Sequence, residues 1–252
     1  MPAVATPAII LSAVRYGDSS KVVKLATEDH GVQSAIAKGA MRPKSRFGAS
    51  LQVLSDGVAH LIMAPHRELQ LLTAFDLSHV RVGLSAGVNR YAAAGAVAEL
   101  MLRFAPAAGH AESFHVLREA LDALEQADEA ILEALALRAL WSVIGVLGFE
   151  PSMAACARDG AGLPEGALAF STGDGGALCE ACARSHDAAR LQPRDRADLE
   201  ALVDPNLALP ALDDRRAAAH RRLVLRYIQH HLGEGATLPA LDFWFRRPWV
   251  AA

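Results

Sequence analysis

The order of hydrophobic patterns along the chain predicts an α+β fold, with strands first and helices afterwards. Three observations predict it: short apolar runs between turn residues over the first 80 residues, helical spacing after them, and all three cysteines in a glycine-rich stretch of the helical part. With 252 residues, 52% of them hydrophobic, the chain can bury the cores of one large or two smaller domains. This apolar content and a net charge of −3 exclude a disordered chain.

Five short strands are predicted in the first 80 residues, each bounded by turn residues. They are Ala8–Tyr16, Lys21–Thr27, Val32–Lys38, Leu51–Met63, which Asp56-Gly57 interrupts, and Arg67–Leu77. Asp29-His30-Gly31 supplies the turn of a hairpin between the second and third strands. Because a small open sheet would leave exposed edges, we expect these strands to close into a five-stranded OB-fold β-barrel over residues 1–80.

Helical spacing begins after Ser78. Ser85 is the predicted N-cap of the first helix, and Pro106 ends it. The apolar face of that helix consists of Leu84, Val88, Tyr91, Ala94, Val97, Met101 and Phe104. Further helices are predicted at Ala111–Gln126, Glu129–Leu147, Arg194–Leu202 and Asp213–Leu232. Glu129–Leu147 is apolar on nearly all sides, which predicts a central helix.

The second domain is therefore predicted to be mostly α-helical, over residues 81–252, with a Cys-knuckle module inserted at about residues 149–186. The aromatic segment Asp242–Trp249 is expected to fold back on the helices, and an interface with a partner is the alternative. The apolar run Ala139–Phe149 is too short to cross a bilayer, and Met1–Val14 lacks the basic start of a signal peptide. We therefore expect a soluble, cytoplasmic protein with no membrane partner.

The three cysteines have the spacing of a degenerate zinc-ribbon-like module. A Cys-x-x-Cys pair directs two thiolates at one point, and two such pairs form the cage of a structural zinc site. Cys179 and Cys182 make one complete pair, whereas Cys156 is followed by Asp159 in place of the second thiolate. Three thiolates and a carboxylate can hold one structural Zn²⁺, with His186 as an alternative fourth ligand. The other interpretation is a knuckle that keeps its thiols without metal, and clustered cysteines suit a reducing cytoplasm.

Positive charge is concentrated at the N-terminal end. The first 50 residues carry seven basic and three acidic side chains and include all four lysines of the chain, which suggests a site for a polyanion. The segment AKGAMRPKSRFG combines cations, loop-forming residues and an aromatic ring, as OB barrels do where they bind single strands. Its candidate DNA-binding residues are Lys38, Arg42, Lys44, Arg46 and, for base stacking, Phe47; Arg15, Lys21 and Lys24 support them from the strands. A solvated connecting loop is the alternative.

The segment IAKGAMRPKSRFGASLQ, the later GGALCEAC and the order barrel–helices–knuckle resemble the RecO family of bacterial DNA repair proteins over essentially the whole chain. The resemblance implies a non-enzymatic recombination mediator that binds single- and double-stranded DNA and anneals complementary strands. It further implies that the protein works with RecR to load RecA onto gaps coated by single-stranded-DNA-binding protein. The acidic C-terminal tail of that coating protein would meet the helical domain. Zinc-bearing members of the family have a cysteine where this chain has Asp159.

The last long predicted helix carries Arg215, Arg222 and Arg226 on one side. Spacings of seven and four residues place them on a common face. They are candidates for the site of an acidic tail, and a solvated face that pairs with acidic neighbours is the ordinary alternative.

Two other functions are consistent with parts of the sequence. A zinc-ribbon regulator with an OB domain would bind nucleic acid with sequence preference. A zinc-dependent nucleoside or base deaminase is a remote alternative, since His110-Ala111-Glu112 with Cys179 and Cys182 echoes the deaminase signature. Leu178 stands where that signature has proline.

Overall fold

The computed structural model describes residues 2–64, 66–233 and 235–249. The chain divides into two compact units, the first ending at Gln126 and the second beginning at Ala127. The first unit thus contains the strands and the first two long helices. The domain boundary predicted at residue 80 follows the change from strands to helices, and it stays a prediction.

Five strands of the first unit form a closed barrel. They are β1 (Ala3–Tyr16), β2 (Ser20–Thr27), β3 (Gly31–Ala37), β4 (Asp56–Ile62) and β5 (Leu69–His79). Around the barrel the strands follow the order β1-β2-β3-β5-β4 and return to β1. Only β3 and β5 are parallel; the other neighbours are antiparallel. This closed five-stranded barrel followed by helices confirms the predicted α+β fold class.

The barrel core follows the period of two that strands impose on side chains. Val23 and Leu25 of β2 point inward and are fully buried, while Lys24 between them is exposed. Ala35 and Ala37 of β3 repeat this alternation. Further side chains that fill the interior are Ile10, Phe47, Leu51, Ala59, Leu61, Leu72 and Phe75.

All five strands differ from their predicted bounds: β2, β3 and β5 by at most two residues at either end, and β1 and β4 by more. β1 begins at Ala3, before its predicted start at Ala8, because Ala3–Pro7 pairs with β4. β4 begins at Asp56, where an interruption was predicted. The residues before Asp56 are outside the strand. One of them, Leu54, donates its N–H to the carbonyl of Ile10 (2.7 Å), where the register of β1 shifts.

Two helices complete the first unit, α1 (Val88–Phe104) and α2 (Ala111–Gln126). A short 3₁₀ turn, Val82–Ala86, precedes α1, and Gly87 rather than Ser85 is its N-cap. The Ser85 hydroxyl instead donates to the Val82 carbonyl inside that turn (2.7 Å). In the later turns of α1 most side chains of the predicted apolar face are buried. In its first turn two members of that face, Val88 and Tyr91, are exposed.

The second unit begins with α3 (Glu129–Ile144), which continues into a π turn, Gly145–Phe149. Inside that turn Gly148 has a φ of 90°, in the left-handed region that favours glycine. By length and composition Glu129–Phe149 could cross a membrane. Its most apolar stretch of 18 residues has a mean hydropathy of 1.9, but half of that stretch is buried inside the protein. Because Leu137, Leu140 and Ile144 are buried here, α3 is the central helix that its composition predicts.

The cysteine module contains regular structure that the sequence did not predict. Its elements are β6 (Leu168–Ser171), β7 (Gly176–Leu178), α4 (Glu180–Ala183) and β8 (Ala189–Leu191). The strands form an antiparallel sheet in the order β7-β6-β8. Gly176 allows the chain to approach Ser152 closely, since a Cβ there would lie 2.4 Å from the Ser152 carbonyl oxygen.

Three helices follow the module: α5 (Pro193–Val203), α6 (Asp214–His231) and α7 (Pro239–Arg246). Asp213 caps α6, because its carboxylate accepts a hydrogen bond from the Arg216 N–H (2.9 Å). α7 was not predicted as a helix. Leu241 and Trp244 on one side of it are buried, as expected of a segment that folds back on its own unit.

Candidate nucleic-acid interface and metal cluster

The basic loop between β3 and β4 is a chain of tight turns rather than an extended connector. Successive bonds between residues three apart, such as Arg42 N–H to Gly39 O and Ser45 N–H to Arg42 O, fold it compactly. Its turns require left-handed backbone at Gly39 and Gly48, whose φ values are 73° and 48°. The four basic side chains predicted to contact phosphate are all exposed on this loop: Lys38, Arg42, Lys44 and Arg46.

Phe47 does not have the predicted stacking position. Its side chain is 1% exposed and belongs to the barrel core, so the ring has no free face for a base. The Arg46 guanidinium lies over that ring, 5.5 Å from its centroid. Burial of the ring anchors the basic loop to the end of the barrel, because an aromatic side chain gains more from the core than from water.

The strand register brings two supporting cations to the same end of the barrel. Arg15 on β1 pairs with Lys21 on β2, and Lys21 pairs with Ala37 on β3, directly before Lys38. The loop is fastened to the β1–β2 turn by the bond from Met41 N–H to Ser19 O (2.8 Å). Lys24 is also exposed but lies further along β2.

Positive charge at this end of the barrel is not neutralised internally. Within residues 2–64, 66–233 and 235–249, no ion pair involves any of the seven candidate cations, although ion pairs are frequent elsewhere. Arg15 donates only to the carbonyl of Gly17 (3.2 Å). Six of the seven are exposed, and Lys21 is partly buried. Such a group of unpaired cations on a small barrel is suited to a polyanion.

A groove of about 400 Å³ lies between the β1–β2 turn and the start of the basic loop. Its lining residues are Tyr16, Gly17, Asp18, Ser19, Ser20, Ile36, Lys38, Gly39 and Arg42. Tyr16 is 57% exposed there, and the sequence analysis did not select it. Its position could have identified it, since Tyr16 ends a predicted strand directly before a turn glycine. A side chain at the end of a strand is less covered by neighbouring strands.

The three thiols and Asp159 meet in the second unit. Their ligand atoms all lie within 4.8 Å of one another. The thiols of Cys182 and Cys179 both donate to Asp159 Oδ2, over 3.3 and 3.5 Å. The other carboxylate oxygen accepts the Ala161 N–H (3.0 Å), which orients the group. Asp159 therefore occupies the fourth corner, whereas the His186 ring faces the Cys182 carbonyl (Nδ1···O 2.9 Å) and is outside the cluster.

The donor set fits a tetrahedral ion. Zn–S bonds of about 2.3 Å and a Zn–O bond of about 2.1 Å require O···S separations near 3.6 Å, close to those found here. Hydrogen bonding to Asp159 raises the pKa of the Cys182 thiol to about 12. Bonds from the Cys156 thiol and the Ala161 N–H hold the pKa of Asp159 well below its usual range. Metal binding at this cluster would thus displace thiol protons onto solvent.

The arginines of α6 divide into two groups. Arg216 binds Asp198 and Asp213, and Arg221 lies 3.1 Å from Glu133, so both are used within the unit. Three others are exposed, and in the described part of the chain none of them has an acidic partner: Arg215, Arg222 and Arg226. Arg216 and Arg221 therefore stabilise the unit from within, while the three exposed arginines can meet either solvent or an acidic partner.

The histidine of the deaminase-like motif is engaged locally. His110 Nδ1 lies 2.7 Å from the Ser113 hydroxyl at the start of α2. Among the residues that the structure describes, the cluster with Cys179 and Cys182 contains no histidine. The ligand set of a zinc deaminase is therefore not assembled there.

Comparison with known proteins identifies the family to which the chain belongs. The N-terminal family model of recombination protein O matches residues 1–81, and the C-terminal model matches residues 87–238. A protein of Anaeromyxobacter sp. (strain K) named DNA repair protein RecO is 35% identical over 239 residues, 89% of this chain and 90% of its own length. One of the same name from Rubrobacter xylanophilus is 29% identical over 235 residues, 91% and 92% of the two chains. The chain therefore belongs to the RecO family of DNA repair and recombination proteins.

Proposed function

We propose that this protein is a non-enzymatic mediator of DNA repair and recombination that binds single- and double-stranded DNA and anneals complementary strands. The observation that carries the proposal is the set of unpaired and mostly exposed cations at one end of the barrel. Family membership supports a role in repair, and the basic end supports a phosphate backbone as the ligand. No side chain in this role needs to react.

Annealing follows from electrostatics. Two DNA strands repel each other through their phosphates, and each phosphate neutralised by a lysine or arginine releases condensed counterions. A surface that contacts two strands at once lowers their repulsion, so that base pairing can nucleate. Because these contacts are to phosphates, binding is expected to be indifferent to base sequence.

The protein partners are part of the same proposal. The exposed arginines of α6 form a basic helix face suited to the acidic C-terminal tail of single-stranded-DNA-binding protein. With RecR as the second partner, binding to the coated gap would allow RecA to be loaded there. A DNA mediator of this kind acts in the cytoplasm, in association with the nucleoid.

The thiol–carboxylate cluster is proposed to hold one structural Zn²⁺ through Cys156, Asp159, Cys179 and Cys182. All four coordination positions would come from the protein, which leaves none for a substrate or a catalytic water. The ion would link the segment before β6 to the knuckle before α4. Its role is therefore to stabilise the module.

The DNA-binding proposal is tested by the salt dependence of affinity. Lys44→Ala with Arg46→Ala should weaken binding to oligonucleotides of any sequence alike. The slope of log affinity against log salt for single strands should fall by about 1.4, roughly 0.7 for each lost phosphate contact. Fluorescence anisotropy with arbitrary-sequence oligonucleotides at several salt concentrations measures both effects.

A matched control is Arg103→Ala with Arg118→Ala, which removes two exposed charges from the helices of the same unit. That pair should change the slope far less. An unchanged slope in the Lys44/Arg46 variant would contradict the assignment of the basic loop. A strong preference of the wild type for one sequence would instead favour the zinc-ribbon regulator.

A further inference from the structure

Tyr16 is placed unlike the other tyrosines of the chain. It is the last residue of β1, lines the groove beside the basic loop and is 57% exposed. In the described part of the structure no group hydrogen-bonds to its hydroxyl and no ring stacks on it. Tyr227 is buried in the second unit, and Tyr91 is exposed on α1 away from any groove cation.

The surface next to Tyr16 is apolar along one row and cationic along its edge. Val14 pairs with Val22, and Val22 pairs with Ile36, so these three side chains form a row across the outer face of β1, β2 and β3. Val14 is exposed, and the other two are partly so. Lys38 and Arg42 border the same groove.

This combination specifies the chemistry of a ligand. The cations favour an anionic ligand. The flat ring beside an apolar row favours a planar group that is joined closely to that anion. A nucleotide of a single strand supplies both, since its phosphate is charged and its base has a free π-face. In a duplex the bases are stacked inside and cannot reach the ring.

We propose that Tyr16 is a stacking platform for an unpaired base of single-stranded DNA whose backbone follows Lys38 and Arg42. The inference rests on the proposed DNA-binding function and adds the residue that distinguishes single from double strands. Asp18 sets the path of the strand, because its carboxylate at the rim of the groove repels phosphates. The backbone is therefore held on the basic-loop side, with the bases turned toward Tyr16.

The test compares Tyr16→Ala and Tyr16→Leu with the wild type on three probes of equal length. These are a deoxythymidine oligonucleotide, the corresponding abasic strand and a blunt duplex. Loss of a stacked base weakens binding by roughly 5- to 150-fold, so both variants should lose this much on the thymidine strand. They should match the wild type on the abasic strand and the duplex, and their salt slope should not change. Tyr16→Phe should retain binding, because the ring rather than the hydroxyl is required.

Tyr91→Ala is the matched control, since it removes an equally exposed tyrosine of the same unit and should leave all three affinities unchanged. Equal loss on the thymidine and abasic strands would overturn the proposal, and so would full binding by Tyr16→Leu. Wild-type protein that binds no probe at low salt would overturn the proposed function and this inference with it. Normal salt-dependent binding that ignores Tyr16 would overturn the inference alone.

Discussion

At position 159 a carboxylate completes a cluster whose other members are thiols. Zinc prefers thiolate and imidazole in closed structural sites, so the carboxylate is the weakest of the four ligands. Asp159→Cys should therefore tighten zinc binding by about tenfold or more, and Asp159→Ala should weaken it by a similar factor. Competition with a chromophoric chelator measures both. His186→Ala, outside the cluster, should behave as the wild type; weaker binding in that variant would return His186 to the ligand set.

His220 gives the second unit a dependence on pH. It is almost fully buried on α6, and burial lowers its pKa below 6.5 although Asp198 lies 3.9 Å away. As pH falls below about 6.5, the unfolded chain binds a proton before the folded one does, so the free energy of unfolding decreases with falling pH. The slope from this one group is at most about 1.4 kcal/mol per pH unit.

His220→Gln should remove that part of the dependence of unfolding free energy on pH. The measurement runs from about pH 8 to about pH 5, which brackets the ordinary histidine pKa. Urea unfolding followed by tryptophan fluorescence is the measurement, because all three tryptophans, Trp141, Trp244 and Trp249, belong to the second unit. Identical slopes in the variant and the wild type would mean that His220 titrates alike in both states.

Phe47 and Tyr16 show what the sequence can and cannot predict about single residues. The basic loop is visible in the sequence because its charges are close together along the chain. Which aromatic faces the groove depends on contacts with residues distant in sequence, such as Leu72 and Phe75, which bury Phe47 with the core. Tyr16 lines the same groove as Lys38 because β1 ends at the turn that borders this groove.

At the scale of elements, the long periodic segments were predictable and the short ones were not. α2 has its predicted bounds, Ala111–Gln126, because sixteen residues carry several turns of the helical period. β7 and β8 have three residues each, too few for a period of two to be recognised. The bond from Ala157 N–H to Ala177 O (2.8 Å) holds the segment that contains Asp159 against β7. The cysteine spacing therefore suggested the cluster, but the choice of Asp159 over His186 as its fourth member required the fold.

Arg81 connects three parts of the first unit. Its buried guanidinium donates to Asp56 on β4 (2.7 Å), Asp122 on α2 (2.7 Å) and the carbonyl of Leu54 (2.8 Å). Burial raises the pKa of Asp56 despite this partner, so its charge is costly without the arginine. Arg81→Ala should lower the free energy of unfolding by about 2–4 kcal/mol, less than a fully buried pair because Asp122 is partly exposed.

Urea unfolding followed by far-UV circular dichroism measures this effect, and Arg103→Ala on α1 is the control for loss of an exposed arginine. The control should change stability by less than about 0.5 kcal/mol. A similarly small change in the Arg81 variant would show that water replaces its bonds, and that the link from strand to helix adds little to stability.

At the scale of the whole molecule, the two units carry separate basic surfaces. The first consists of the exposed basic loop and its neighbours on β1 and β2, and the second is the arginine face of α6. Both lack acidic partners among the described residues, yet they differ in geometry. The first adjoins a groove lined by an exposed tyrosine, whereas the second consists of three exposed arginines along one helix.

This division predicts that substitutions on the two surfaces affect strand annealing differently. Lys44→Ala with Arg46→Ala should slow annealing both of naked strands and of strands coated by single-stranded-DNA-binding protein, because either reaction needs contact with phosphates. Arg222→Glu with Arg226→Glu should slow annealing of coated strands only, since charge reversal repels the acidic tail while the barrel still binds DNA. Annealing of dye-labelled complementary oligonucleotides, with and without the coating protein, measures all four rates. The Arg103/Arg118 alanine pair should leave them unchanged. If the α6 reversal slowed naked strands equally, the arginine face would be part of the DNA surface, and the acidic tail would bind elsewhere.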